Sequence, residues 1–247
     1  MTLFLVGGGP SENLSDVHDA YAASVGARAR GRTARVVWIS AGRPEQVQAF
    51  AADYTTPLLE RLPDCEVTEV YLLPVAEDGT DETVWPEDLK DYDGIIVAGG
   101  HTPSYLTGLA PMRPELARLV REDVPWIGYS AGAQVASRHA HVGGWKIKGQ
   151  QVANELASEG LDEISIVDGL ALITPLVVTH NNTWQTESVA ITALEHNWSR
   201  TAVAIDEDTC LIVDPITGRT ALYGTGRIRW FSREAAGVVV KTQYPDD

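Results

Sequence analysis

The chain has 247 residues, of which 44% are hydrophobic and 21% are charged, and this balance excludes an intrinsically disordered protein. The length fits one α/β domain over residues 1–247. The formal net charge of −15 repels phosphate backbones and anionic lipids, so neither nucleic acid nor a membrane is expected as a partner.

Short apolar runs in the first half of the chain predict five buried strands: 2–6, 35–40, 67–72, 94–98 and 124–128. Helical spacing predicts helices over 44–62, with an interruption at Pro57, and over 114–121. The alternation predicts an α/β fold with a mostly parallel sheet and helices on both faces. In the second half one helix is predicted over 186–196, and additional short strands are predicted over 176–179, 202–205, 209–213, 220–223 and 238–240.

The N-terminal strand lacks a preceding basic region and is too short for the apolar part of a secretion signal. Cys65 and Cys210 are not part of a C-x-x-C pair, and they are expected to be reduced thiols. Both observations favour a cytoplasmic location. The sequence leaves open whether copies of the chain form a homo-oligomer.

The segment Gly128-Tyr129-Ser130-Ala131-Gly132 lies between the fifth predicted strand and a helix predicted over 131–139. In this context G-x-S-x-G forms a strained turn that projects the serine hydroxyl above the sheet edge, which makes Ser130 a candidate nucleophile. The amide of Ala131 can then donate to an oxyanion. Gly100, at the end of the fourth strand, is predicted as the second donor in preference to Gly99.

A serine nucleophile needs a base, and His180 is the best placed of six histidines because it directly follows the strand 176–179. His18 and His196 lie in polar helical surroundings and are expected to face solvent. The orienting acid is sought in Asp206-Glu207-Asp208, which follows another strand, but spacing does not choose among the three. Four further residues are candidate substrate-binding residues around this site: Gly99, His101, Thr102 and Asn181.

These segments, with Gly7-Gly8-Gly9 after the first strand, resemble the dipeptidase E and cyanophycinase group of serine peptidases. The resemblance implies a flavodoxin-like, class I glutamine amidotransferase-like fold. It also implies Ser130 as nucleophile, His180 as base and Glu207 as orienting acid. No cofactor or metal is expected, and the implied partner is a small peptide, such as a dipeptide with an α- or β-aspartyl residue.

The chain departs from this group at two places. His101-Thr102 stands where relatives carry Asn or Asp followed by Gln, and no arginine follows His180 as it does in cyanophycinases, so cyanophycin is not expected as the substrate. Arg138, Lys146 and Lys148 are expected on a solvated surface, with contact to a substrate carboxylate as the alternative.

Three other functions fit parts of the pattern. An α/β-hydrolase esterase has the order serine, acid, histidine, and would need an acid such as Asp168 to serve His180. A glutamine amidotransferase has a cysteine where this chain has Ser130. A non-catalytic small-molecule binding protein of the same fold would keep the turn without its chemistry.

Overall fold

The computed structural model describes residues 3–73 and 83–245; strands and helices alternate through the first half of the chain, and the second half consists mostly of strands. The strands are β1 (Leu3–Val6), β2 (Arg35–Ala41), β3 (Glu66–Leu72), β4 (Gly94–Val97), β5 (Trp126–Tyr129), β6 (His139–Gly143), β7 (Lys146–Ile147), β8 (Gln150–Gln151), β9 (Ser165–Asp168), β10 (Leu176–Val178), β11 (Thr201–Ile205), β12 (Thr209–Val213), β13 (Thr220–Gly224), β14 (Ile228–Glu234) and β15 (Gly237–Gln243). The helices are α1 (Ser15–Ala29), α2 (Pro44–Val47), α3 (Ala51–Leu59), α4 (Thr102–Leu109), α5 (Arg113–Arg121), α6 (Ala131–Gln134), α7 (Asn181–Trp184) and α8 (Glu187–Glu195). None of the helices in the described ranges is long and apolar enough to cross a membrane.

The central sheet has seven strands in the order β13-β12-β1-β5-β4-β2-β3. The strands β1 to β5 run parallel, while β12 and β13 are antiparallel additions at one edge. This confirms the predicted α/β fold with a mostly parallel sheet and additional C-terminal strands; residue 2 of the first predicted strand lies outside the described residues. Because β1, β5 and β4 are adjacent and parallel, the segments that follow them meet at one edge of the sheet.

A second sheet, in the order β10-β11-β14-β15, packs against α8 through a separate apolar cluster. The residue two positions after β10 is His180, and β11 continues through residues 206–208 into β12 of the central sheet. The predicted base and the three candidate acids are therefore carried by neighbouring strands of this second sheet.

Two predicted helices differ from the structure. The interruption in 44–62 falls at residues 48–50, between α2 and α3, and Pro57 lies inside α3, where in a helix this short it removes only one hydrogen bond. The helix predicted over 131–139 ends at Gln134. The carbonyls of the next residues accept hydrogen bonds from a crossing segment, residues 169–173, so they are unavailable for continuing the helix.

Glycines allow the turn around Ser130 to pack closely. A Cβ on Gly128 would lie 2.3 Å from the carbonyl oxygen of Gly132, and a Cβ on Gly132 would lie 2.5 Å from the carbonyl oxygen of Val97. Both neighbours are backbone atoms, which cannot move aside as a flexible side chain can. The two glycines of the G-x-S-x-G pattern are therefore required by packing.

We expect Gly132→Ala to lower the free energy of unfolding by about 1–3 kcal/mol, because the added methyl group overlaps the backbone of β4. Urea unfolding followed by circular dichroism measures this change. Gly9→Ala is the matched control, since a Cβ at Gly9 would meet no atom within 4 Å. Equal stability of the two variants would contradict the packing argument.

Candidate active site

Ser130 occupies the turn between β5 and α6 in a strained backbone conformation. Its φ is 49° and its ψ is −109°, a region that residues with a Cβ rarely adopt. The amide of Ser130 donates a hydrogen bond to the carbonyl of Val6 at 3.1 Å, which fixes the turn to the end of β1. Strain of this kind is the expected property of a strand-to-helix turn that presents a nucleophile.

Three side chains form a continuous chain of hydrogen bonds at this turn. Ser130 Oγ lies 2.6 Å from His180 Nε2, and His180 Nδ1 lies 2.9 Å from Glu207 Oε1. An ionised carboxylate can only accept, so Nδ1 donates to Glu207 and the lone pair of Nε2 faces the serine hydroxyl. This is the arrangement in which an imidazole can take the serine proton.

His180 is held in place by the backbone and by an aromatic ring. Its amide donates to the carbonyl of Gly7 at 2.7 Å, and its φ of 55° turns the chain sharply after β10. The imidazole stacks on the indole of Trp184 with 4.0 Å between ring centroids and 18° between planes. The ring therefore has one face covered and both nitrogens engaged.

The three adjacent acids have different surroundings, and Glu207 is the one that hydrogen-bonds to His180. Glu207 contacts His180, and a Cβ on Gly8 would lie 3.2 Å from its carboxylate. Asp206 is buried and accepts from the Asn181 amide at 2.9 Å. Asp208 points away from His180: it accepts from Ser11 at 2.5 Å and from Asn13 at 2.9 Å.

The short helix α7 contacts both His180 and Glu207. The Asn182 side-chain oxygen accepts from the Glu207 amide at 2.8 Å, and the Thr183 hydroxyl donates to Glu207 Oε1 at 2.9 Å. The next residue is Trp184, which stacks on His180. Three successive residues of α7 thus contact the Glu207 backbone, the Glu207 carboxylate and the His180 ring.

We expect Thr183→Val to lower kcat about 3- to 10-fold, because Glu207 Oε1 would keep His180 but lose its second hydrogen-bond donor. Thr183→Ser should restore the rate. Thr183 is exposed, so the melting temperature should be the same for all three proteins. A valine variant with wild-type kcat would show that this hydroxyl does not position the acid.

Two amides beside Ser130 are free of internal acceptors in the described part of the chain. The Gly99 amide donates to the Tyr54 hydroxyl at 3.1 Å and the Gly99 carbonyl accepts from Tyr105, so both its backbone groups are engaged. The Gly100 amide, at a φ of 144°, has no such partner, and neither does the Ala131 amide. Gly100 and Ala131, the two predicted oxyanion donors, thus both have an amide that is available to a ligand.

The remaining predicted substrate-binding residues have internal partners. His101 is exposed and its ring contacts Ser104 and the carbonyl of Glu159. Thr102 is fully buried and donates to the carboxylate of Glu159 at 2.9 Å. Asn181 is also buried, and both ends of its amide are used inside the protein. The structure therefore brings His101 to the surface of the site and places Thr102 and Asn181 behind it.

The other histidines of the described ranges form their hydrogen bonds and ion pairs with groups other than the Ser130 hydroxyl. His18 was expected to face solvent, but it is buried against the Tyr129 hydroxyl at 3.1 Å, and burial lowers its pKa to about 4. His141 is buried in β6, and burial likewise lowers its pKa to about 4. His139 lies 3.5 Å from Asp168, the acid that an esterase would have needed beside His180.

Four residues at the site were not predicted from the sequence: Thr183, Trp184, Gln134 and Glu159. The first two lie in the polar loop directly after His180, and that position was the available signal for them. Glu159 lies far along the chain from every motif, and no local pattern marks it. In the described ranges no group of three or more His, Cys, Asp or Glu side chains could hold a metal ion.

A serine that follows a parallel strand of the central sheet and is hydrogen-bonded to a histidine and, through it, to a carboxylate is typical of a serine-type hydrolase. The chain belongs to peptidase family S51, whose model matches residues 3–219, and this confirms both the resemblance drawn from the sequence and a serine-type peptidase. No curated protein gives a significant match.

A solved structure supports the same fold. The chain is similar to a peptidase from an acI-B1 Actinobacterium, with a TM-score of 0.67 and 18% sequence identity over 99% of this chain and 94% of that one. At this identity the likeness establishes the fold alone. Membership of this family excludes the esterase and the amidotransferase as alternative functions.

Proposed function

We propose that this protein hydrolyses short peptides through a Ser130-His180-Glu207 triad and an acyl-enzyme intermediate. The observation that carries the proposal is the unbroken hydrogen-bonded chain, 2.6 Å from Ser130 to His180 and 2.9 Å from His180 to Glu207. Membership of peptidase family S51 supplies the class of bond that is cleaved.

In the first half of the reaction, His180 Nε2 accepts the proton of Ser130 and the serine oxygen attacks the peptide carbonyl. The amides of Gly100 and Ala131 donate to the resulting oxyanion. When the tetrahedral intermediate collapses, His180 gives its proton to the leaving amine, and the acyl group stays on Ser130 as an ester.

In the second half, a water molecule takes the place of the departed amine. His180 removes a proton from this water as its oxygen attacks the ester carbonyl. Collapse returns the proton to Ser130 and releases the carboxylic acid. Glu207 stays ionised throughout and stabilises the imidazolium that forms in each half.

For the substrate, we propose dipeptides that contain an α- or β-aspartyl residue. The support is the sequence resemblance to dipeptidase E within this family. A panel of α- and β-linked Asp-X, Glu-X and neutral dipeptides tests it, with matched Asn-X peptides as uncharged controls. Hydrolysis of Asn-X at the rate of Asp-X would contradict the preference for an acidic residue, but it would not contradict the peptidase activity.

A fluorophosphonate should form a covalent adduct on Ser130, because this is the serine whose hydroxyl meets an imidazole lone pair. Peptide mapping by mass spectrometry locates the adduct. Ser130→Ala should abolish it, whereas Ser165→Ala, at the half-buried start of β9 where the hydroxyl has only a backbone partner, should leave it unchanged. An adduct on another serine would contradict the assignment of the nucleophile.

A further inference from the structure

One carboxylate is held beside the proposed oxyanion site and has no part in the triad. Glu159 lies between β8 and β9 with a φ of 47°, and its carbonyl accepts from His101 Nε2 at 3.2 Å. Its Oε1 accepts from the Thr102 hydroxyl at 2.9 Å. Thr102 comes two residues after Gly100, so its hydroxyl holds the Glu159 carboxylate close to a proposed oxyanion donor.

The support under this carboxylate is buried and leads back to the nucleophile. Thr102 is fully buried and its oxygen accepts from the Gln134 amide at 3.1 Å. Gln134 lies one helical turn after Ser130, and its backbone amide donates to the Ser130 carbonyl at 3.0 Å. The loop itself docks tightly: a Cβ on Gly143 would lie 2.7 Å from the Cβ of Glu159.

The charge of Glu159 is unpaired in the described part of the chain. Among the described residues it forms no ion pair with Lys, Arg or His, and its Oε2 has no hydrogen-bond partner. Glu159 is half-buried, so a group bound to Oε2 would be partly shielded from water. A fixed, unpaired and half-buried carboxylate favours a cationic ligand.

The position of His180 determines which part of a peptide meets Glu159. β5, which carries Ser130, lies between β1 and β4. His180 is bound to Gly7 on the β1 side, while Gly100 and Glu159 lie on the β4 side. Because His180 must protonate the leaving amine, that amine faces β1 and the acyl residue extends toward β4.

We propose that Glu159 binds the free α-ammonium group of the acyl residue, so that cleavage follows the first residue of a peptide. This specificity assignment rests on the proposed peptidase function. An ammonium group carries a full positive charge and three N–H donors, and one of these can donate a hydrogen bond to Oε2. A residue in the interior of a longer peptide presents a neutral amide there and leaves the carboxylate unpaired.

The test compares an aminoacyl p-nitroanilide with its N-acetyl form. Wild type should prefer the free amine, and Glu159→Gln should lower kcat/KM for that substrate about 10- to 100-fold while leaving the acetylated one unchanged. Glu155→Gln removes the same charge from an exposed position on the same loop and should preserve the preference. Equal losses on both substrates in Glu159→Gln, or no loss on either, would overturn the proposal.

A binding measurement separates this proposal from the peptidase function. Calorimetry with Ser130→Ala should show tighter binding of an amino acid amide than of its N-acetyl form, and adding Glu159→Gln should remove the difference. If wild type hydrolyses no peptide, the proposed function is wrong, and this measurement still decides the ammonium site. Equal binding of the two amides by Ser130→Ala would overturn the site whatever the activity.

Discussion

Replacing Ser130 with alanine is expected to lower kcat/KM for peptide hydrolysis by about 10⁴-fold or more, since the substitution removes the atom that forms the acyl-enzyme. The residual rate reflects the Gly100 and Ala131 amides, which can still bind an oxyanion. Progress curves with a chromogenic peptide at high enzyme concentration measure the loss. A variant that retains a tenth of wild-type activity would contradict the assignment of Ser130 as the nucleophile.

The backbone strain at Ser130 provides the control for this experiment. At a φ of 49° and a ψ of −109°, a Cβ is unfavourable, so Ser130→Gly should unfold with a free energy about 1 kcal/mol higher than Ser130→Ala. Both variants should be inactive. If Ser130→Gly is inactive although it is more stable than Ser130→Ala, its loss of activity cannot come from unfolding.

The strands around this site could be predicted from local sequence because each is a short apolar run bounded by glycine, proline or aspartate. The turn at Ser130 was predictable for the same reason, since its glycines and flanking elements are adjacent in the chain. The extent of α6 was not. It depends on hydrogen bonds from residues 169–173, which no pattern near Ser130 reveals.

The partners of the nucleophile show a similar division. His180 could be selected because it follows a strand, but Asp206, Glu207 and Asp208 could not be separated by spacing. Their roles depend on which way each side chain points after β11, and tertiary contacts to α7 and to Arg227, just before β14, set those directions. Glu159 could not be predicted for the same reason, because contacts with residues distant in the chain place it beside the site.

The neighbouring acids Glu207 and Asp206 should respond to neutralisation in opposite ways. Glu207→Gln should lower kcat/KM about 10³- to 10⁴-fold, because an amide presents both a donor and an acceptor to Nδ1 and no longer stabilises the imidazolium. Its side chain is partly exposed, so the free energy of unfolding should change little.

Asp206→Asn should show the reverse pattern. The two Asp206 oxygens accept from the Asn181 amide at 2.9 Å and from the Arg227 amide at 3.3 Å, and Arg227 Nε lies 3.5 Å away. An asparagine would turn an NH₂ group toward one of these donors inside a buried pocket, at a cost of about 1–3 kcal/mol in the free energy of unfolding. Because Asp206 does not contact His180, kcat/KM should stay within about tenfold of wild type. Urea unfolding and peptide kinetics on both variants measure the two effects, and a larger catalytic loss in Asp206→Asn would transfer the orienting role from Glu207 to Asp206.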